Sequence, residues 1–225
     1  MKPIAHIKTD FPDKFGVPRQ SGLVPELTGE IIFEREYRRS EAVRGLEDFS
    51  HIWLLWRFDT DDDEDGTFRP TVRPPRLGGN TRIGVFATRS PYRPNPIGLS
   101  SVKLTGIDYD RADAPVLYVS GADLVDRTAI YDIKPYLPAF DCHTDAKGSF
   151  SDEAAGYALK VDAGNVLDIL PPDKREALLG ALSSDPRPSY QNDPQRIYGM
   201  RFAGYEIKFR VDGDILTVVS AEKYD

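Results

Sequence analysis

Over the first 140 residues the apolar side chains come in short runs, each bounded by Gly, Pro or Asp. PIAHI is brief. TGEIIFE, DFSHIWLLWRF, RIGVFAT, LSSVKLTGIDY and PVLYVSGADLV are longer and rich in Val, Ile, Leu and aromatic residues, the composition of strands. The runs follow one another too closely for crossover helices to fit between them. They predict a mainly β fold, an antiparallel sheet or barrel, in preference to a doubly wound α/β fold. One stretch, SEAVRGLEDF, has helical spacing: Ser40 reads as a cap, and Val43 and Leu46 as the apolar stripe.

Past residue 140 the pattern changes. DCHTDAKGSFSDEAAG (141–156) is polar and rich in small residues, and reads as a linker or excursion. Beyond it come a strand near YALKV and a helix that begins after Pro171–Pro172 and runs through KREALLGAL. The loop DPRPSYQNDPQR (185–196) follows, then a hairpin formed by MRFAGYEIKFRV and ILTVVSA about the turn DGD. Asp212–Gly213 is a good two-residue turn signal. The chain thus divides into a β unit over 1–140, a connecting stretch over 141–156 and a small α+β unit over 157–225. There is no internal repeat.

A chain of 225 residues is long enough for that arrangement. No apolar run approaches the ~20 residues that span a bilayer, and MKPIAHIKTD lacks the apolar core of a secretory signal. Cys142 is the only cysteine, so no internal disulfide or cysteine metal cluster is available, which fits a reducing cytoplasm. His6, His51 and His143 do not have the spacing of zinc ligands, and no metal is expected. The formal net charge is −7, but its distribution is uneven. DTDDDED (59–65) concentrates acid, whereas 66–103 has none and holds Arg69, Arg73, Arg76, Arg82, Arg89, Arg93 and Lys103. That segment carries +7 and the rest of the chain −14. Phosphate responds to the local field, so a nucleic-acid partner stays open; a solvated basic face paired with the acidic loop is the other reading.

No GxGxxG follows a strand, no GxxxxGK[ST] is present, and no serine sits in GxSxG. The candidate chemistry lies in four polar clusters at strand ends: KFGVPRQSGL (14–23), RPTVRPPRLGGNTR (69–82), GVFATRSPYRPNPIGLS (84–100) and SGADLVDRTAIYDIKPYLP (120–138). In a closed sheet such clusters can meet at one rim. The three prolines of the third fix φ by their rings and hold its Arg and Asn side chains at little entropic cost. Protection of a sheet edge is the alternative use for such turns.

These clusters, in this order, resemble the TrmO family, also called YaeB-like or TsaA-like. VPRQSGL, AVRGLEDFSHIWLL, RPTVRPPRLGGNTRIGVFATRSPYRPNPIGLS and DLVD…YDIKPYLP carry the resemblance across almost all of 1–140, and DPRPSY and the last hairpin extend it weakly. It implies a β-barrel with a small C-terminal domain, usually a homodimer. The implied enzyme uses S-adenosylmethionine to methylate N6 of N6-threonylcarbamoyladenosine beside the anticodon of threonine tRNA. The matching strings imply cofactor contacts from Pro18, Arg19 and Gln20, from Arg89 and Leu99, and from Ser120, Gly121, Ala122 and Asp123.

There are two departures from the family pattern. Asp59 and Thr60 stand where relatives have His-Gln, so a cofactor contact from this pair uses other chemistry or the backbone. Arg127 and Ala129 replace the Gly and Pro of Asp-Gly-Thr-Pro. For the proton on N6 the candidates are Asp132 and Lys134, with a structural ion pair as the competing reading. For RNA they are Arg69, Arg73, Arg76 and Arg93 on phosphates and Tyr92 on a base. A non-catalytic tRNA-binding barrel and a methyltransferase for another small molecule or nucleotide remain the alternatives.

Overall fold

The computed structural model describes residues 1–59, 67–74, 81–153, 156–188, 191 and 193–224. The N-terminal runs form β1 (Ala5–Lys8), β2 (Thr28–Phe33), β3 (His51–Arg57), β4 (Thr71–Val72), β5 (Ile83–Gly84), β6 (Ile97–Asp108), β7 (Val116–Ser120) and β8 (Ala129–Pro135). Six of them close into a barrel in the order β1-β2-β7-β6-β3-β8, with every pairing antiparallel and β8 returning to β1. β3 shows why. Ile52, Leu54 and Trp56 are buried, while His51, Trp53, Leu55 and Arg57 between them are not, the period of two that a sheet with one inner face requires. On β6 the buried positions are Gly98, Ser100, Val102 and Leu104. Ile7, Ile31, Leu117, Val119 and Ile130 fill the rest of the interior.

The remainder of the chain forms α1 (Pro138–Asp141), α2 (Phe150–Glu153), β9 (Lys160–Asp162), α3 (Pro172–Ser183), β10 (Tyr198–Phe202), β11 (Tyr205–Asp212) and β12 (Ile215–Lys223). The second sheet runs β10-β11-β12-β9, with β9 parallel to β12. Leu178 and Leu182 of α3 share a core with Phe202, Phe209 and Leu216, and that core also takes in Phe11, Val24 and Leu27 from between β1 and β2. The ring of Phe11 stands edge-on to Phe202, centroids 5.0 Å apart. Residues 9–27 are therefore tied to the barrel at both ends and to the second sheet in the middle, which fixes the first polar cluster in place.

Several local expectations shift. RIGVFAT does not enter the barrel: among the described residues β5 pairs with β4 alone, and Val85–Ala87 then turns as a 3-10 segment. Pro70, Pro74 and Pro91 bracket this run and cannot donate to a ladder. SEAVRGLEDF, expected to hold one helical turn or two, forms two short 3-10 turns, Ser40–Val43 and Leu46–Asp48, after another at Arg35–Tyr37. Gly45, at φ +85, leads into the turn Leu46–Asp48, and Ser40 lies inside its own turn rather than capping it. Val43 and Leu46 still pack on the barrel core. The last hairpin turns at Gly213–Asp214, one residue later than expected, because Asp212 still pairs with Ile215. Arg127 stands at φ +64, so the turn is kept by a non-glycine residue in the left-handed region, which costs about 1 kcal/mol.

Candidate functional site

Three of the four polar clusters meet. The Arg89 guanidinium donates to Gln20 Oε1, and Gln20 in turn donates through Nε2 to the Arg19 carbonyl. Two residues on, Gly22 N donates to Gly121 O at 2.8 Å, and Gly121 N to Leu27 O at 2.8 Å. Gly121 has φ +74, and a Cβ there would lie 3.2 Å from Gly22 Cα. Only glycine allows this approach without strain. Pro18 is buried behind the contact, Gln20 is half-buried, and Arg19 and Arg89 are exposed at its mouth.

Asp123 lies at the centre. Burial pushes its carboxyl above the ordinary carboxylate range; a hydrogen bond from Ser100, its own and Ser21's backbone N–H groups and the charge of Arg89 oppose that rise without cancelling it. Ser100 Oγ donates to Asp123 Oδ1 at 2.6 Å and accepts from Trp56 Nε1 at 3.0 Å. The glycine of RPNPIGLS makes this relay possible. Gly98 pairs with Trp56 across the β3–β6 ladder, and a Cβ on Gly98 would fall 2.2 Å from the indole. The ring occupies the space where a side chain would stand, and its N–H reaches Ser100 two residues along. Ala122 is buried, and Ser120, half-buried, ends β7 at this rim.

The other expected residues lie around this centre. Leu99 is 53% exposed on the outer wall, in one rung with Leu55 and Asp132. Asp132 and Lys134 form an exposed ion pair, Nζ to Oδ2 2.9 Å, on that same wall and apart from the Asp123 relay. The structural reading made of them from sequence is present; two strand spacings, roughly 10 Å, separate the backbones of Asp132 and Leu99. Asp59 is exposed and its carbonyl accepts from Lys14 Nζ, which ties it to the first cluster through backbone rather than side chain. Thr60 and Arg76 lie outside the described residues. Arg69, Arg73 and Tyr92 are exposed. Arg93 is half-buried, its Nη2 donating to Val85 O at 3.1 Å and Thr88 O at 2.6 Å, so it staples its own loop.

Sequence reasoning missed Trp56 of the relay and three further contributors. Ser100 is a hydroxyl at an inward position of β6, a signal the alternation contains. Ser21 acts only through its backbone. Arg187, from DPRPSY, is 7% exposed, pairs with Asp185 through Nε and Nη2 at 2.9 Å each, and offers its carbonyl to Arg19 Nη2 at 3.0 Å. The C-terminal unit thereby braces the first cluster. Among the described residues, no group of three or more His, Cys, Asp or Glu is placed to hold a metal ion, and no helix is long and apolar enough to cross a membrane.

Residues 6–142 match the family model of the tRNA-methyltransferase O N-terminal domain, and 162–224 that of the TrmO C-terminal domain. The chain is 42% identical over 217 residues to the tRNA (adenine(37)-N6)-methyltransferase of Escherichia coli K12, covering 92% of this chain and 91% of that protein. It is 39% identical over 209 residues to a putative S-adenosylmethionine-dependent methyltransferase, RcsF, of Pseudomonas aeruginosa, covering 89% and 87%. A crystal structure of TrmO from Pseudomonas aeruginosa superposes with a TM-score of 0.78 at 32% identity, covering 99% of this chain and 95% of that one. The barrel, the second sheet and both sets of matches agree: the chain belongs to the TrmO family.

Proposed function

We propose that this protein transfers a methyl group from S-adenosylmethionine to N6 of adenine in tRNA, acting on N6-threonylcarbamoyladenosine beside the anticodon of threonine tRNA. The observation that carries the reading is the convergence of Gln20, Arg89, Gly121 and Asp123 at one barrel rim. Names carried by relatives, a tRNA (adenine(37)-N6)-methyltransferase and an S-adenosylmethionine-dependent methyltransferase, support it. So does the acid-free basic stretch over 66–107, suited to a polyanion. We take 1–140 as the cofactor and catalytic unit, 141–156 as the connection and 157–225 as the small C-terminal unit, in a cytoplasmic homodimer.

The residues at the rim fit the cofactor. Asp123 offers a fixed carboxylate to ribose hydroxyls or to a sulfonium charge, Gln20 and nearby backbone amides offer an adenine edge its donors and acceptors, and Pro18, Arg19, Leu99, Ser120 and Ala122 border them. When bound, S-adenosylmethionine supplies a methyl group already activated on sulfur. The protein's part is then to position: Arg89 locks Gln20, and the Trp56–Ser100 relay fixes Asp123, so that donor and acceptor are held in line. N6 must lose its proton as the new bond forms. Asp132, anchored by Lys134 in the rung of Leu99, is the proposed acceptor of it, and Arg69, Arg73, Arg76 and Tyr92 are proposed to hold the RNA.

Transfer of labelled methyl to threonine tRNA, with and without threonylcarbamoyl on the target adenosine, tests the reading. Label is expected in the modified RNA alone. Label in neither RNA leaves a binding module, and label in a small nucleotide instead points to a different substrate.

A further inference from the structure

Phe68 and Phe86 stack on each other, ring centroids 6.2 Å apart and planes 25° from parallel, yet they are 53% and 76% exposed. The architecture holds them there. Phe68 lies just before β4 and Phe86 just after β5, and the pairing of Thr71 with Gly84 brings the two arms side by side. Val85 N donates to Pro70 O at 2.9 Å, and the Val85 side chain is buried, so the turn that carries Phe86 is anchored while Phe86 stays in solvent. The surrounding chain is basic: no Asp or Glu occurs over 66–107, and Arg73, Arg82 and Arg89 are exposed.

An aromatic face in water, on a stretch of chain rich in exposed arginines, matches a partner that is planar and carries negative charge. An unpaired nucleobase on its phosphate chain has both properties. A second copy of this chain matches less well, since a two-fold contact through this arm would set one acid-free, arginine-rich segment against another. Position agrees with the first partner. Phe86 is three residues from Arg89, at most about 11 Å along the chain, so a base seated on it neighbours whatever is held at the rim.

We infer that Phe68 and Phe86 form a stacking platform for an unpaired loop base of the RNA substrate, beside the base that is methylated. This rests on the tRNA reading above. The test uses the full-length protein and the anticodon stem-loop of threonine tRNA, with dissociation constants measured by fluorescence anisotropy for wild type, Phe68→Ala, Phe86→Ala, Phe86→Leu and Phe86→Trp. S-adenosylmethionine affinity and sedimentation are followed alongside. Both alanine variants and Phe86→Leu are expected to bind RNA about 10-fold more weakly, roughly 1.4 kcal/mol. Phe86→Trp is expected to bind as wild type does, and cofactor affinity and sedimentation to stay constant throughout. Undiminished RNA affinity in the alanine variants overturns the inference. Full affinity in Phe86→Leu reduces the contact to plain apolar packing and also overturns it, and a change in sedimentation with RNA affinity intact assigns the face to a second copy. A wild type that ignores the stem-loop removes the tRNA reading itself, a result distinct from all of these.

Discussion

A buried carboxyl that is hard to ionise is a liability to the fold and an asset to a site. At Asp123 burial raises the pKa, against the opposing hydrogen bonds and the charge of Arg89. The folded protein therefore holds this proton more tightly than the unfolded chain does, and ionisation of Asp123 subtracts stability as pH rises from the unfolded value through the folded one. Asp123→Asn keeps an acceptor for Ser100 and cannot ionise. It is expected to gain stability relative to wild type across that range and to melt at an equal or higher temperature at neutral pH. Its affinity for S-adenosylmethionine is expected to fall by about 10-fold or more, the loss of one charge-assisted hydrogen bond. Thermal melts from the acid range upward, with calorimetry at neutral pH, check both halves. The sequence singled out Asp123 as a group, but its environment was hidden, because the three residues that set it, Ser100, Trp56 and Ser21, come from three other stretches of chain.

At the scale of elements, composition did most of the work. β3 and β6 were legible as runs of Val, Ile, Leu and aromatic residues, and the structure gives both the period-two burial of a sheet with one inner face. RIGVFAT had the same composition, yet it became a hairpin arm ending in an exposed Phe86. Composition reports what a segment can do; only alternation reports that one face is covered. Gly98 is a sharper case, because the reason for it is on the neighbouring strand. Gly98→Ala places a methyl group inside the Trp56 indole, so the ring must move and the donation to Ser100 is lost. Overpacking of this kind destabilises by about 1–3 kcal/mol. Chemical denaturation is expected to show that loss, and tryptophan fluorescence an altered environment; an unchanged midpoint and spectrum would mean that the indole is not confined as described.

Across the whole molecule, the barrel and the second sheet are joined by polar contacts that no local pattern announced. DPRPSY read only as a loop and a weak extension of the resemblance; in the structure its Arg187 is buried on Asp185, Tyr157 donates to Asp185 Oδ2 at 3.0 Å, and the Arg187 carbonyl holds Arg19. Burial alone would raise the Asp185 pKa, but hydrogen bonds from Arg187 and Tyr157 outweigh it and hold the carboxyl below its ordinary value. That contribution is present above the unfolded pKa and is lost as pH falls through the folded one. Asp185→Asn leaves Arg187 buried without its counter-charge and is expected to lose about 3 kcal/mol at neutral pH. The gap from wild type should close as acid protonates Asp185; a gap that is independent of pH contradicts the ion pair.

Everything proposed for the rim depends on its being the seat of the methyl donor, and calorimetric titration of S-adenosylmethionine into wild type and Arg89→Ala addresses that point. Arg89 is exposed and holds Gln20, so its removal is expected to leave the melting temperature unchanged while weakening cofactor binding by about 10-fold or more. Equal affinity in the two proteins, each saturating at one site per chain, would place the cofactor elsewhere and contradict the assignment.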